Sequence, residues 1–104
     1  MVKNITTQEF DEKVIGSSKP ALVDFWAQWC GPCKMLSPAV DSVSEQVDGV
    51  DFYKVNIDEE PELAREFGIM SIPTLIVFKD GEILEQSIGI IPEADIKELA
   101  EKAL

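Results

Sequence analysis

Apolar positions along this chain change period several times, and each change marks a new element. Phe10 and Val14 lie at helical spacing behind Thr6-Thr7-Gln8-Glu9, a capping-box pattern, so a short first helix is predicted there. After Pro20, Ala21-Leu22-Val23-Asp24-Phe25-Trp26 is compact and almost wholly apolar. Its length and its β-branched and aromatic content predict a strand buried on both faces, as in a parallel sheet. Leu36, Ala39, Val40, Val43 and Val47 then share one helical face. Pro38 falls inside that helix and cannot donate to the carbonyl of Lys34, so a kink is expected.

Val50 to Ile57 reads as a second central strand, and Asp58-Glu59-Glu60-Pro61 as the acidic start of a third helix ending near Gly68. The runs from Thr74 to Phe78 and from Glu82 to Ile88 are strand-like. They are joined by Lys79-Asp80-Gly81, where the Asp-Gly pair predicts a hairpin. Pro92 opens a last helix whose apolar face is Ile96, Leu99, Ala100 and Ala103. The order is helix, strand, helix, strand, helix, hairpin, helix. That order folds as an α/β three-layer sandwich around a mixed sheet, parallel at first and antiparallel at the end. No repeat, low-complexity run or linker interrupts it, so residues 1–104 are read as one domain.

Composition narrows the function. A chain of 104 residues that is 45% hydrophobic can fill a single core. Its net charge is −11, from 20 acidic and 9 basic residues. So acidic a surface repels phosphate backbones, which argues against nucleic acid and anionic membrane as partners. The charge serves solubility, and it also suits partners with a basic rim. The longest apolar stretches fall far short of the ~20 residues a membrane span needs. Met1-Val-Lys-Asn leads on without an apolar signal region or cleavage site, so the expected address is cytoplasmic.

There are two cysteines and no histidine. Neither a Cys–His or Ser–His nucleophile pair nor a histidine metal site can be built. The chemistry must run on thiols, carboxylates, lysine or backbone.

Trp29-Cys30-Gly31-Pro32-Cys33-Lys34 lies between the first buried strand and the following helix. A disulfide closed over two residues constrains little loop and so adds little stability. At a helix entrance, however, it can open and close with almost no backbone rearrangement. Cys30 would sit at or before the first turn, where unpaired N–H groups and the positive end of the helix dipole favour a thiolate. Cys33, one turn on, would point partly inward and be harder to reach, so that one cysteine attacks and the other resolves. Three inert readings compete. Structural zinc needs four ligands, and only two sulfurs are present. A purely structural disulfide suits neither a reducing compartment nor so short a loop. Two free cysteines as core filler fit poorly with Gly31-Pro32, which reads as a rigid exposed turn.

The segment Asp24-Phe25-Trp26-Ala27-Gln28-Trp29-Cys30-Gly31-Pro32-Cys33-Lys34-Met35 resembles the active-site segment of the thioredoxin family. Asn56-Ile57-Asp58, Gly68-Ile69-Met70-Ser71-Ile72-Pro73-Thr74 and Phe78-Lys79-Asp80-Gly81 match the family pattern in order and spacing, over essentially the whole length. Cys-x-x-Cys beside βαβ patterning is a weak signal alone; the residues around it make it specific. The resemblance implies a thioredoxin-like sandwich with a central mixed sheet of about five strands flanked by about four helices. It implies a dithiol–disulfide oxidoreductase that reduces disulfide-containing target proteins through a transient mixed disulfide. The chain would be monomeric and re-reduced by a thioredoxin reductase. It would bind no cofactor or metal and carry the redox-active disulfide Cys30–Cys33.

Residue by residue, the resemblance makes Cys30 the nucleophile and Cys33 the resolving thiol. Asp24 is out of place in a buried strand, where burial favours its neutral form. By itself it reads equally as a strand-edge carboxylate satisfied by backbone or lysine. The resemblance makes it the proton acceptor and donor for Cys33, with Lys54 tuning it; on sequence alone Lys54 is a strand residue reaching water. Gly31 and Pro32 restrict the turn and influence the redox potential. The resemblance puts a cis peptide at Ile72-Pro73, facing the cysteines, which turns Ile72 backbone groups toward an extended substrate. Trp26 and Trp29 read equally as core packing. The position of Trp29 in a loop beside Cys30 favours a substrate-facing rim, and Trp26 is read as partly structural. Gly89 would permit close approach of a substrate backbone. The family usually has a small residue after this glycine. Here Ile90 follows, which would enlarge the apolar patch around Trp29, Ile72 and Pro73 and put partner preference in doubt. The alternatives are a disulfide oxidase or isomerase domain, and a redox-independent protein-binding module using the same surface.

Overall fold

The structure is a computed structural model and describes residues 2–104. Met1, first residue of the stretch read for a targeting signal, lies outside the described residues. Five strands, β1 (Lys3–Asn4), β2 (Ala21–Trp26), β3 (Asp51–Asn56), β4 (Thr74–Lys79) and β5 (Glu82–Ile88), form one sheet in the order β1-β3-β2-β4-β5. The first three pair in parallel, and β2–β4 and β4–β5 are antiparallel, as the order of elements predicts. The Ala21–Trp26 run is the central strand, which is why it is apolar on both faces. Four helical segments complete the fold: α1 (Thr7–Phe10), α2 (Gly31–Gln46), α3 (Pro61–Glu66) and α4 (Glu93–Glu101).

Each face of the sheet has its own core. Leu22, Phe52, Leu75 and Val77 point toward Leu36, Val40 and Val43 of α2 and Ile96, Leu99 and Ala100 of α4. Val23, Phe25, Val55, Ile76 and Phe78 point the other way, toward Phe10, Val14 and Leu63. There Phe10 meets Phe67 and Phe78 edge-on at 5.4 and 5.3 Å between ring centroids. The period-two alternation of β2 therefore puts Asp24 on the same face as Leu22, beneath α2.

The predicted hairpin is present, with Asp80 and Gly81 at φ of 53° and 79°. Positive φ at both loop residues is the turn whose twist matches that of paired strands. The Thr6–Glu9 capping box is also formed: Glu9 N–H donates to Thr6 Oγ1 at 3.2 Å, and Thr6 N–H to Glu9 Oε1 at 3.1 Å.

Other features carry no clear mark in the sequence. Beyond α1 the chain widens into a π-helix, Asp11–Ile15, closed by Gly16 N–H on the Asp11 carbonyl at 2.9 Å. The edge strand β1 is only two polar residues long, too short to carry a period. The third helix starts at Pro61 rather than Asp58, because the Asn56 side chain draws the N–H groups of Asp58 and Glu59 into a turn, at 2.9 and 3.3 Å. Glu60 is thereby free to accept from Thr7 N–H and Thr7 Oγ1 at 2.8 and 2.9 Å, tying α1 to the start of α3. The long helix α2 runs without interruption through Pro38.

Candidate functional site

Cys30 ends the loop after β2 with extended backbone (φ −89°, ψ 107°) and is the N-cap of α2. Its sulfur accepts from the N–H of Cys33 at 3.1 Å, the place a serine or aspartate oxygen takes in other helices. Gly31 and Pro32 are the first helical residues, where a proline's missing N–H costs nothing. They are exposed as expected, but as a turn of helix rather than a free loop. Cys30 and Cys33 form a disulfide, with their Cα atoms 5.3 Å apart.

In the disulfide form the two cysteines are almost equally buried as residues. Cys30 is 4% exposed and Cys33 3%. Both pack with Ala27, Trp26, Ile57 and Ile72, and the Ile72 carbonyl lies 3.9 Å from Cys30 Sγ. The loop carrying Ile72 covers the outer sulfur, which sequence spacing alone does not reveal. The Ile72–Pro73 bond is cis, and Gly89 N–H donates to the Pro73 carbonyl at 2.8 Å. Gly89 has φ of +90°, and a Cβ added to it would meet nothing within 4 Å. Its conformation requires glycine, and its open side faces away from the chain.

Several large apolar side chains in the segments that carry these residues are exposed. Trp29 is exposed and held by its indole N–H on Asp58 Oδ2 at 2.8 Å. Ile90 is half-exposed, as is Ile88. Met70, two residues before Ile72, is 94% exposed. In the sequence Met70 is one residue of a motif and nothing singles it out. Nor does anything there mark Asp58 as the partner of Trp29.

Behind the disulfide, a cavity of about 70 Å³ is lined by Asp24, Trp26, Cys33, Lys34, Ser37 and Lys54. This is room enough for water. Asp24 is 2% exposed, and its Oδ1 is the buried side-chain polar atom with no hydrogen-bond partner among the described residues. Burial pushes its carboxyl up to about 7; the Lys54 ammonium opposes that shift and Asp41 adds to it. Lys54 is the register neighbour of Asp24 on β3, and its Nζ lies 5.3 Å from the centroid of the Trp26 ring. Trp26 is partly buried and donates its indole N–H to Asn4 Oδ1 at 2.9 Å. The sequence-derived site residues therefore fall into two groups. Asp24, Trp26 and Lys54 line the cavity behind the disulfide with Cys33, whereas Ile72 packs against Cys30, with Pro73 next to Ile72 and joined to Gly89. Trp29 and Ile90 are exposed beside Cys30 and Gly89 in the chain. Among the described residues no group of three or more acidic or sulfur side chains could hold a metal ion. No helix among them is long and apolar enough to cross a membrane.

A helix-capping disulfide backed by a buried acid is suited to exchanging electrons as thiol pairs. Comparisons with known proteins agree. The Thioredoxin family model matches residues 1–102. A thioredoxin of Rickettsia felis is 50% identical over 91 residues, which are 86% of this chain and 87% of that protein. Thioredoxin 1 of Nostoc sp. is 44% identical over 101 residues, 96% of this chain and 94% of the relative. Among solved structures, the Malassezia sympodialis thioredoxin Mala s 13 superimposes with a TM-score of 0.89 at 35% identity, covering 99% of this chain and 90% of that one. The architecture is thus the thioredoxin-like fold. The chain belongs to the thioredoxin family of protein disulfide reductases, with Cys30–Cys33 as its redox-active disulfide.

Proposed function

We propose that residues 1–104 work as one cytoplasmic, monomeric unit that passes two electrons to disulfides in target proteins. The Cys30 thiolate, favoured by the N-terminus of α2, attacks one target sulfur and expels the other as a thiolate. Cys33 then gives its proton to Asp24, and the resulting thiolate attacks the Cys30 sulfur of the mixed disulfide. The target leaves fully reduced and the chain is left as the Cys30–Cys33 disulfide. A thioredoxin reductase supplies two electrons to reopen it. Lys54 sets how readily Asp24 takes the proton, and Gly31 with Pro32 fixes the redox potential through the turn. Trp29, Ile72, Pro73, Gly89 and Ile90 bind the target segment.

The observation that carries this reading is the buried, unpartnered Oδ1 of Asp24 in a wall of the cavity that Cys33 also lines. A group raised to about 7 can both accept and return a proton near neutral pH.

The test is the redox equilibrium of the pair against graded glutathione and dithiothreitol buffers, run beside turnover of a protein disulfide by the Asp24→Asn variant. A single two-electron transition more reducing than glutathione, with slowed turnover in the variant, is expected. A transition on the oxidising side would move the chain to disulfide formation or isomerisation. The absence of any reversible transition would leave a binding module.

A further inference from the structure

One row of side chains crosses the sheet from its edge to its centre. Asn4 of β1 is the register partner of Lys54 of β3, which is the partner of Asp24 of β2, which faces the uncharged Leu75 of β4. All lie on the face covered by α2. Lys54 nevertheless makes no ion pair with Asp24 within 4 Å among the described residues. Its ammonium sits over the Trp26 indole, and the Trp26 ring is in turn tied by its N–H to Asn4 Oδ1. A freely moving ammonium beside a buried carboxyl oxygen with no partner would be drawn toward it.

We propose that Asn4 is a positioning residue for the proton site: by anchoring the Trp26 indole, it holds the Lys54 ammonium at a stand-off from Asp24. The anchored ring offers Lys54 a competing resting place, because the electron-rich face of tryptophan attracts a cation. Lys54 then influences Asp24 across the cavity without pairing with it, and the carboxyl stays able to accept a proton. The other charged groups facing Asp24 come from α2. Lys34 lines the same cavity, and Asp41 with Glu45 shares an outer hollow with Lys54. In the oxidised protein Cys33 does not titrate, which leaves Asp24 to be followed alone.

The proposal rests on Asp24 as proton acceptor, but its test does not. Asp24 is titrated in the oxidised protein by carbon-13 NMR of its carboxyl carbon, with Lys54 present and in a Lys54→Met background. Asn4→Ala is expected to lower the midpoint by about one unit where Lys54 is present, as the ammonium closes on Oδ1, and to leave it unmoved in Lys54→Met. Trp26→Phe, which keeps a ring but has no N–H to give Asn4, is expected to move the midpoint the same way. It serves independently should Asn4→Ala fail to fold. No shift, an upward shift, or equal shifts in both backgrounds would overturn the proposal. None of these results touches the proton-transfer reading, which falls instead if Asp24→Asn retains the full rate of exchange.

Discussion

The N–H of Cys33 points at the sulfur of Cys30, 3.1 Å away, so the outer cysteine is also the N-cap of α2. One atom therefore has two tasks: it closes the disulfide and satisfies an amide that the first helical turn leaves unpaired. In the reduced protein the same amide stabilises negative charge on that sulfur.

Substitutions at Cys30 separate the two tasks. Both Cys30→Ser and Cys30→Ala abolish the disulfide, but serine can still accept from Cys33 N–H. Under reducing conditions the serine variant should exceed the alanine variant by about 1 kcal/mol in urea unfolding. Equal midpoints would mean the cap contributes nothing.

Asp24 should make the folded protein lose stability as pH rises. Burial lifts its carboxyl from 3.8 to about 7, so the folded state holds the proton more tightly than the unfolded chain does. Protonation therefore favours folding. The contribution is complete below about pH 4, declines between there and about pH 7, and is gone above. Asp24→Asn removes the ionisable group, so its advantage over the parent should grow across that window to on the order of 4 kcal/mol. Guanidinium unfolding of both oxidised proteins at pH 4 and pH 8 reads this directly, and parallel curves would contradict it.

Strongly periodic segments are legible in the amino-acid sequence itself. The continuous apolar run of β2, the Asp-Gly hairpin, the α2 and α4 faces and the Thr6–Glu9 box all come from local chemistry that burial then reinforces. The residues of the proposed proton site are legible one at a time, since a carboxylate among Leu22, Val23, Phe25 and Trp26 stands out. What joins them is not. Asn4 meets Trp26 only because a two-residue polar strand pairs with β3, and nothing in Lys3-Asn4 announces a strand. The equal burial of the two cysteines has the same origin: the Ile72 carbonyl arrives over Cys30 from forty-two positions away in the sequence. Met70 is legible as part of a motif, but its near-complete exposure depends on where the loop before β4 emerges from the sheet.

Gly89 offers a way to divide backbone from contact. At φ +90° an alanine is strained by about 1–2 kcal/mol, although its Cβ would meet no atom of the chain within 4 Å. Gly89→Ala should thus lower thermal stability by that modest amount, read by calorimetry of the oxidised protein. If a target backbone passes over this position, its KM for a protein disulfide should rise severalfold as well, beyond anything the stability loss explains at temperatures far below unfolding. A stability loss with an unchanged KM would remove Gly89 from the binding surface.

Ile90 and Met70 test whether the apolar surface selects partners. Both are exposed, and neither lines the cavity behind the disulfide. Truncation should therefore weaken contact with a large target more than it alters the sulfur chemistry. Removing a contact of this size from a docked surface costs about 1 kcal/mol, or roughly fivefold in apparent affinity. For Ile90→Ala and Met70→Ala, the ratio of kcat/KM on a protein disulfide to the rate with a small aromatic disulfide should fall by about that factor, and further when both are changed. The two side chains follow different segments, one after β5 and one before β4. A target that spans the cis-Pro73 loop should lose contact with both, giving nearly additive losses. Equal losses on protein and small disulfides would instead locate the effect at the cysteines and take both residues out of partner recognition.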